Sequence, residues 1–316
     1  MRHLITPHDL ALSEIQALLR LGDDIMEHPG DYGDSARRLK LATLFYEPST
    51  RTRLSFEAAM LELGGSVLGF ASQDASSAVK GESVADTIRM VQCYADIIAM
   101  RHPKEGAPYV AAQHANVPII NAGDGGHNHP TQTLTDVMTI HREFGRLEGL
   151  TIGLCGDLKF GRTVHSLVNV MSRCAGTRFI LISPKDLRAP DYVLDEIRRN
   201  GRAYEESRSM EAVMPELDVL YMTRVQRERF FNEADYVRLK DTFILDVPKL
   251  ESAKASMIVM HPLPRVNEIS VTVDSSLHAR YFEQARCGKY IRMALILALL
   301  GKESGIREQE AGKLCI

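Results

Sequence analysis

The chain has 316 residues, 45% hydrophobic and 25% charged, enough to build two cores and more than one typical domain needs. Lysine and arginine number 38 against 41 aspartate and glutamate, a formal charge of −3, which excludes a general attraction to nucleic acid or to an anionic membrane surface. Any bound anion must therefore be met by cations gathered locally.

The opening stretch MRHLITPHDLALSEI lacks the uninterrupted apolar core of a signal peptide, and no segment approaches the ~20 apolar residues of a membrane span. A soluble, cytoplasmic chain is expected. The five cysteines, Cys93, Cys155, Cys174, Cys287 and Cys315, are odd in number, far apart and without any CxxC, so buried free thiols are expected rather than disulfides or a zinc knuckle.

In chain order, short β-branched runs occur at 41–46 (LATLFY), 97–101 (IIAMR), 117–121 (VPIIN), 151–155 (TIGLC), 178–183 (RFILIS), 218–222 (DVLYM), 243–246 (FILD) and 257–260 (MIVM). Helical stretches separate them, a rhythm that predicts parallel α/β sheets. A polar, glycine-containing loop at 121–130 precedes TQTLTDVMTIHREFG, whose Leu134, Val137, Met138 and His141 fall at helical spacing. That helix is expected to tie two sheets together. The segment TIGLCGDLKFGRT runs strand, turn, helix, but its glycines at 153, 156 and 161 do not make G-x-G-x-x-G, so a dinucleotide site is not supported. At the end, 290–300 (YIRMALILALL) predicts a buried helix too short to cross a membrane.

The first strand runs into Glu47-Pro48-Ser49-Thr50-Arg51-Thr52-Arg53 and then LSFEAAMLELGG, where Leu54, Ala58 and Leu61 share one helical face and Gly64 and Gly65 stop the helix. Ser49 or Thr50 is the N-cap candidate. Hydroxyls, free backbone N–H groups, the positive end of the helix dipole and Arg51 would converge there, which is the chemistry of an oxyanion or phosphate site. An ordinary capped helix with two solvated arginines is the plainer alternative.

FYEPSTRTRLSFE resembles the carbamoyl phosphate signature of the aspartate and ornithine carbamoyltransferase family. Further segments agree in order and spacing: VKGES (79–83), MRHP (100–103), HPTQTLTD (129–136), GDLKFGRTVHS (156–166), TRVQRER (223–229), HPLPRVNEI (261–269) and YIRMAL (290–295). The resemblance covers nearly the whole chain. It implies an α/β fold of two domains, each a parallel sheet flanked by helices and joined by interdomain helices. Residues 1–131 would bind carbamoyl phosphate, with a C-terminal helix (287–316) packing back on them, and 132–286 would bind the amino acid.

The same resemblance implies roles residue by residue. Ser49, Thr50, Arg51 and Thr52 match the phosphate loop, and Thr52 and Arg101 also reach the carbamoyl oxygen. His129 matches a donor to that oxygen, and Gln132 a residue that orients the carbamoyl nitrogen. For GDGGHNHP a plain loop and a metal site from Asp124, His127 and His129 compete with this reading, because H-x-H can bind zinc; the following PTQTL and the lack of a third strong ligand favour the carbamoyl reading. Arg162, Arg224 and Gln226 match groups that hold the aspartate carboxylates, a task suited to the planar guanidinium. Leu263 and Pro264 match residues whose backbone carbonyls accept from substrate amino groups. Ser76 and Lys80 match groups donated by a neighbouring chain, which implies a homotrimer with shared sites and Lys80 close to the bound aspartate.

Ornithine enzymes carry a cysteine in H-C-L-P and an acidic segment suited to a cationic side chain. Here the first reads His261-Pro262-Leu263-Pro264, and 221–229 offers Arg224, Gln226 and Arg229, so the acceptor implied is L-aspartate. The reaction would be an early step of de novo pyrimidine biosynthesis. Carbamoyl phosphate carries its own leaving group, so no metal or other cofactor is expected. The alternatives are transfer to another amino acid such as ornithine, or a non-catalytic phosphometabolite-binding protein; intact Arg51, Thr52, Arg101 and His129 argue against the latter. Association with a regulatory chain or a dihydroorotase stays open.

Overall fold

The computed structural model of the chain describes residues 2–225, 232, 234 and 242–302. These residues form two compact units, one comprising 1–138 with 286–316 and the other 139–285. The expected boundaries stood at 131/132 and 286/287.

In the first unit, β1 (Lys40–Phe45), β2 (Ser66–Phe70), β3 (Ile97–His102) and β4 (Ile119–Asp124) form one parallel sheet in the order β2-β1-β3-β4. The helices between them are α1 (Leu12–Glu27), which precedes the sheet, α2 (Thr50–Glu62), α3 (Val84–Val91) and α4 (Ala107–His114). β3 is buried along most of its length and β4 along all of it, as expected of strands covered on both faces. Ala42, Leu44, Ile98, Met100 and Ile119 pack on one side against Ile88 and Val91 of α3 and Ala107 and Ala111 of α4.

α2 packs on β1 and β2 through Phe56, Ala59 and Met60. The shared face of Leu54 and Leu61 points the other way, those residues being 59% and 56% exposed. α2 carries apolar side chains on both sides, so periodicity alone does not select the buried one.

The second unit contains β5 (Thr151–Cys155), β6 (Arg178–Ile182), β7 (Ala203–Ser207), β8 (Val219–Met222) and β9 (Ile258–Met260), parallel in the order β7-β6-β5-β8-β9. Its helices include α6 (Arg162–Met171), α7 (Asp191–Arg199), and the short α8 (Met210–Val213) and α9 (Val247–Leu250). Cys155, Ile180, Ile182, Leu220, Met222 and Val259 form a core with Met210, Met214, Leu245 and Tyr281. Two helices run through the division of the chain: α5 (Pro130–Phe144), the helix expected to tie the sheets, and α10 (Tyr281–Leu300). The latter starts nine residues before the apolar stretch that announces it; no described helix is long and apolar enough to cross a membrane.

Three sequence expectations change. β2 and β7 were not anticipated; both are half-exposed edge strands, and β7 carries Glu205 and Glu206, charges that mask a strand pattern while protecting an edge. The run 243–246 is not a strand, making only an isolated bridge from Leu245 to Ile269. Of the cysteines, 155, 174 and 287 are buried and in no disulfide, but Cys93 is exposed just past α3. Cys315 lies outside the described residues. Burial pushes the Cys155 thiol up and the Cys174 thiol to about 11, so both stay protonated.

Gly156, the first residue after β5, has φ +116, and a Cβ there would lie 2.3 Å from the Thr223 carbonyl oxygen that follows β8. Only glycine lets the two strand ends approach this closely. Gly156→Ala should therefore lower unfolding stability by at least about 2 kcal/mol, read as a fall in the urea midpoint. An unchanged midpoint would show that the 223 backbone yields without cost.

Candidate active site

Each sheet presents its functional candidates at the carboxyl edge. In the first sheet, the connection leaving β1 runs to β2 on one side and that leaving β3 runs to β4 on the other, so a switch point lies between β1 and β3, where ligand crevices form in parallel α/β sheets. Phe45 pairs with Arg101 there, and Tyr46 N–H donates to the Arg101 carbonyl at 2.9 Å. Ser49 is the N-cap of α2 in extended conformation (φ −156), without a side-chain capping bond. Its hydroxyl thus does not close off the helix end, where the first backbone N–H groups and the dipole favour an anion. Thr52 is buried and Arg51 exposed at the same terminus. Arg53 turns away from it, donating from Nε to Glu57 at 2.7 Å, one turn further along α2.

Arg101 sits at the end of β3, its side chain nearly buried and paired through Nη2 to Glu47 Oε2 at 2.9 Å. Burial pulls its pKa down, Glu47 opposes this, and the nearby charge of Arg51 adds to the lowering. Its Nε is buried with no hydrogen-bond partner among the described residues. Such a donor is costly to leave unmade unless a ligand completes it.

The loop after β4 carries His129, which is buried and occupies the cap position of α5: its carbonyl accepts from Gln132 N–H at 3.0 Å and Thr133 N–H at 3.2 Å. Asp124 pins this loop. Its buried carboxylate accepts from Gly106 N–H (2.9 Å), Asn121 Nδ2 (2.9 Å) and Asn128 N–H (3.0 Å), with His127 Nδ1 at 3.3 Å. With its oxygens committed to protein donors, Asp124 does not suit the metal alternative. No group of three or more His, Cys, Asp or Glu among the described residues is placed to hold a metal ion. Gln132 donates from Nε2 to Asp136 Oδ1 at 2.7 Å. A carboxylate only accepts, so the Gln132 NH₂ faces Asp136 and its side-chain oxygen is left as an acceptor at the other corner of the amide.

In the second sheet the switch point lies between β5 and β8. Arg162 is the first residue of α6, following β5, and Arg224 stands two residues past β8; both are half-buried. Thr223 joins the two connections, its Oγ1 accepting from Asp157 N–H at 3.0 Å and its N–H donating to Cys155 O at 2.8 Å. Gly156, Thr223, Val225, Thr242 and Phe243 line a recess at this edge. Leu263 and Pro264 follow β9, the neighbour of β8, across a cis peptide bond. Gln226 and Arg229 lie outside the described residues. The segment 72–82 contains two 3₁₀ turns, Gln73–Ala75 and Ser77–Lys80. Ser76 Oγ donates back to the Gln73 carbonyl at 2.7 Å, and Lys80 is exposed.

Sequence reasoning missed Glu47, Asp124 and Asp136 as groups that hold candidate residues in place. Only Asp136 carried a signal, four residues after Gln132 on an expected helix and so on the same face.

Two family models match the chain: the aspartate/ornithine carbamoyltransferase carbamoyl-P binding domain over residues 2–142, and the Asp/Orn binding domain of the same family over 148–299. The aspartate carbamoyltransferase catalytic subunit of Lachnoclostridium phytofermentans is 64% identical over 95% of this chain and 98% of its own length; that of Clostridium acetobutylicum is 59% identical over the same shares. Among solved structures, the catalytic subunit of M. Jannaschii aspartate transcarbamoylase superposes with a TM-score of 0.89 at 44% identity, covering 95% of this chain and 98% of that one. Aspartate transcarbamoylase from Trypanosoma cruzi, in complex with N-(phosphonacetyl)-L-aspartic acid, gives 0.88 at 41% identity over 93% and 94%. Family models over nearly the whole length and relatives 59% and 64% identical over 95% of it show that the chain belongs to the aspartate/ornithine carbamoyltransferase family.

Proposed function

We propose that this chain transfers the carbamoyl group of carbamoyl phosphate to the amine of L-aspartate, giving N-carbamoyl-L-aspartate and phosphate, an early step of de novo pyrimidine biosynthesis. The observation that carries the reading is the uncapped start of α2, with Ser49, Thr50, Arg51 and Thr52, next to Arg101 at the switch point of the first sheet. The unit of 1–138 with 286–316 binds carbamoyl phosphate in this reading, and that of 139–285 binds aspartate.

The chemistry follows from charge. The neutral aspartate amine attacks the carbamoyl carbon, and the growing negative charge on the oxygen is met by donors from Thr52, Arg101 and His129, an oxyanion-hole arrangement. The carbamoyl amino group donates to the Gln132 side-chain oxygen, whose orientation Asp136 sets, and to the carbonyls of Leu263 and Pro264. As the C–N bond forms, the carbon–oxygen bond to phosphate breaks and the amine passes its proton to the departing phosphate. The leaving phosphate is held by Arg51 and the N–H groups of α2. Holding both anions in attack geometry supplies much of the remaining acceleration, with effective molarities of up to ~10⁵ to 10⁸ M for well-oriented pairs.

Arg162 and Arg224, with Gln226, hold the aspartate carboxylates. Two guanidinium groups following neighbouring strands suit a dianionic acceptor, and the relatives named above are aspartate enzymes. Lys80 and Ser76 serve the site of an adjacent chain in a homotrimer. The relatives' designation as catalytic subunits favours a chain that works beside others, such as a regulatory chain.

Three measurements test this reading. Pure protein given carbamoyl phosphate should release phosphate and a ureido product with L-aspartate and far less with L-ornithine; the reverse preference would reassign the acceptor. Arg224→Ala should raise the aspartate KM and lower kcat at a combined cost of roughly 2 to 5 kcal/mol, with carbamoyl phosphate affinity nearly unchanged. Equal losses for both substrates would contradict the division of labour. Finally, Lys80→Ala and Arg101→Ala proteins should each be almost inactive, yet mixing them with subunit exchange should restore about a quarter of all sites in a three-fold ring, since each native site needs one chain of each kind. Background activity after verified exchange would show that Lys80 does not act across chains.

A further inference from the structure

After β9 the chain runs His261-Pro262-Leu263-Pro264-Arg265-Val266-Asn267-Glu268, and two of these residues are buried polar groups with no role so far. The side chains of His261 and Glu268 are only 1% and 5% exposed, with His261 Nε2 at 2.7 Å from Glu268 Oε1. On its other side, His261 Nδ1 faces the Leu263 backbone N–H at 2.8 Å. The tautomer is thereby decided. A carboxylate only accepts, so Nε2 carries the proton; an amide N–H only donates, so Nδ1 is a lone pair.

Both ends of this pair are anchored. Glu268 Oε2 accepts from Val266 N–H and Asn267 N–H, each at 3.1 Å, and the Glu268 carbonyl accepts from Leu245 N–H at 2.8 Å. His261 N–H donates to Gln284 Oε1 of α10 at 2.9 Å. What the anchored imidazole then holds is a residue in an unfavourable conformation: Leu263 has φ +54, the left-handed region that a side-chain-bearing residue adopts at a cost. Burial, the largest influence, lowers the His261 pKa against the opposing bond to Glu268. Burial alone would raise the Glu268 pKa, but the bond from His261 and the backbone amides bring it below the ordinary carboxylate value. A neutral imidazole beside an ionised carboxylate is consistent with the geometry.

We infer that His261 and Glu268 are positioning residues: the carboxylate orients the imidazole, the imidazole grips the Leu263 amide, and the grip aims the Leu263 carbonyl at the amino group of carbamoyl phosphate. The inference rests on the proposed function, which makes that carbonyl an acceptor. In this role neither residue needs to touch substrate.

Two near-isosteric replacements separate this role from mere support of the fold. The amide oxygen of His261→Asn can stand where Nδ1 stood and still accept from Leu263 N–H, while losing the bridge to Glu268. In His261→Gln the longer amide can still donate to Glu268 but leaves the Leu263 N–H without its acceptor. Inorganic phosphate lacks the amino group and serves as the control ligand. Positioning predicts that His261→Gln raises the carbamoyl phosphate KM about tenfold, the size of one hydrogen bond, with a smaller change in kcat. His261→Asn should stay within about threefold, and the inhibition constant of phosphate should hold in both.

A purely structural pair predicts the opposite order, since glutamine keeps the buried bridge. That order, or equal effects in the two variants, overturns the inference. Failure of the underlying reading looks different: the wild-type protein would make no N-carbamoyl-L-aspartate. Should a variant not fold, imidazole ¹⁵N resonances of the wild-type protein decide the matter. They should show a neutral His261 protonated on Nε2, with Nδ1 shifting on addition of carbamoyl phosphate but not of phosphate; an Nδ1-protonated ring, or identical responses to both ligands, overturns it.

Discussion

Every strand in both sheets is parallel, and that constraint governs what the molecule can do. Parallel strands end together at one edge, so each connection leaving that edge starts beside the connections from neighbouring strands. Ser49 to Thr52 after β1, Arg101 at the end of β3 and the His129 loop after β4 share an edge for this reason, although up to eighty residues separate them. Arg162, Arg224 and Leu263 share the other sheet's edge after β5, β8 and β9. Helix starts add unpaired N–H groups at these edges, a ready receptor for anions in a chain whose overall charge attracts none.

Placing loops at an edge does not hold them still. In each unit, buried polar groups do that by using up loop N–H groups. Asp124 holds the segment before His129 through the amides of Gly106 and Asn128, and Glu268 holds the segment after Leu263 through those of Val266 and Asn267. Arg292 of α10 works the opposite way within the first unit, as a buried donor between helices, to Ser55 Oγ of α2 at 3.0 Å and to the Gly288 carbonyl at 2.8 Å. Burial brings its pKa down to about 10, countered by Asp136, so it remains charged at neutral pH. A buried ion of this kind is worth its desolvation only where partners converge on it, which couples α2 and α10 tightly.

The division between pattern and packing shows clearly in α2 and the edge strands. Apolar runs such as LATLFY and TIGLC are legible because central parallel strands bury both faces and admit few polar residues. SVLGF and AYEES are not, since an edge strand needs only one partner and half of its surface meets water. FILD has a strand's composition yet makes a single bridge among the described residues, from Leu245 to Ile269.

By itself the sequence determined the α/β alternation, the absence of a general attraction to polyanions, and the residue types of the proposed anion site: hydroxyls and Arg51 at a strand-to-helix turn, His129 before a proline-started helix, and arginines in the second half. These are local properties, set by period, charge and helix-end chemistry over a few residues. Only the tertiary structure decided which face of α2 is buried, that Arg53 turns to Glu57 while Arg101 pairs with Glu47, which way the Gln132 amide points, and which nitrogen of His261 carries the proton. Each of those outcomes depends on a partner's position in space, and a side chain's protonation or orientation is fixed by the donor or acceptor it meets after folding.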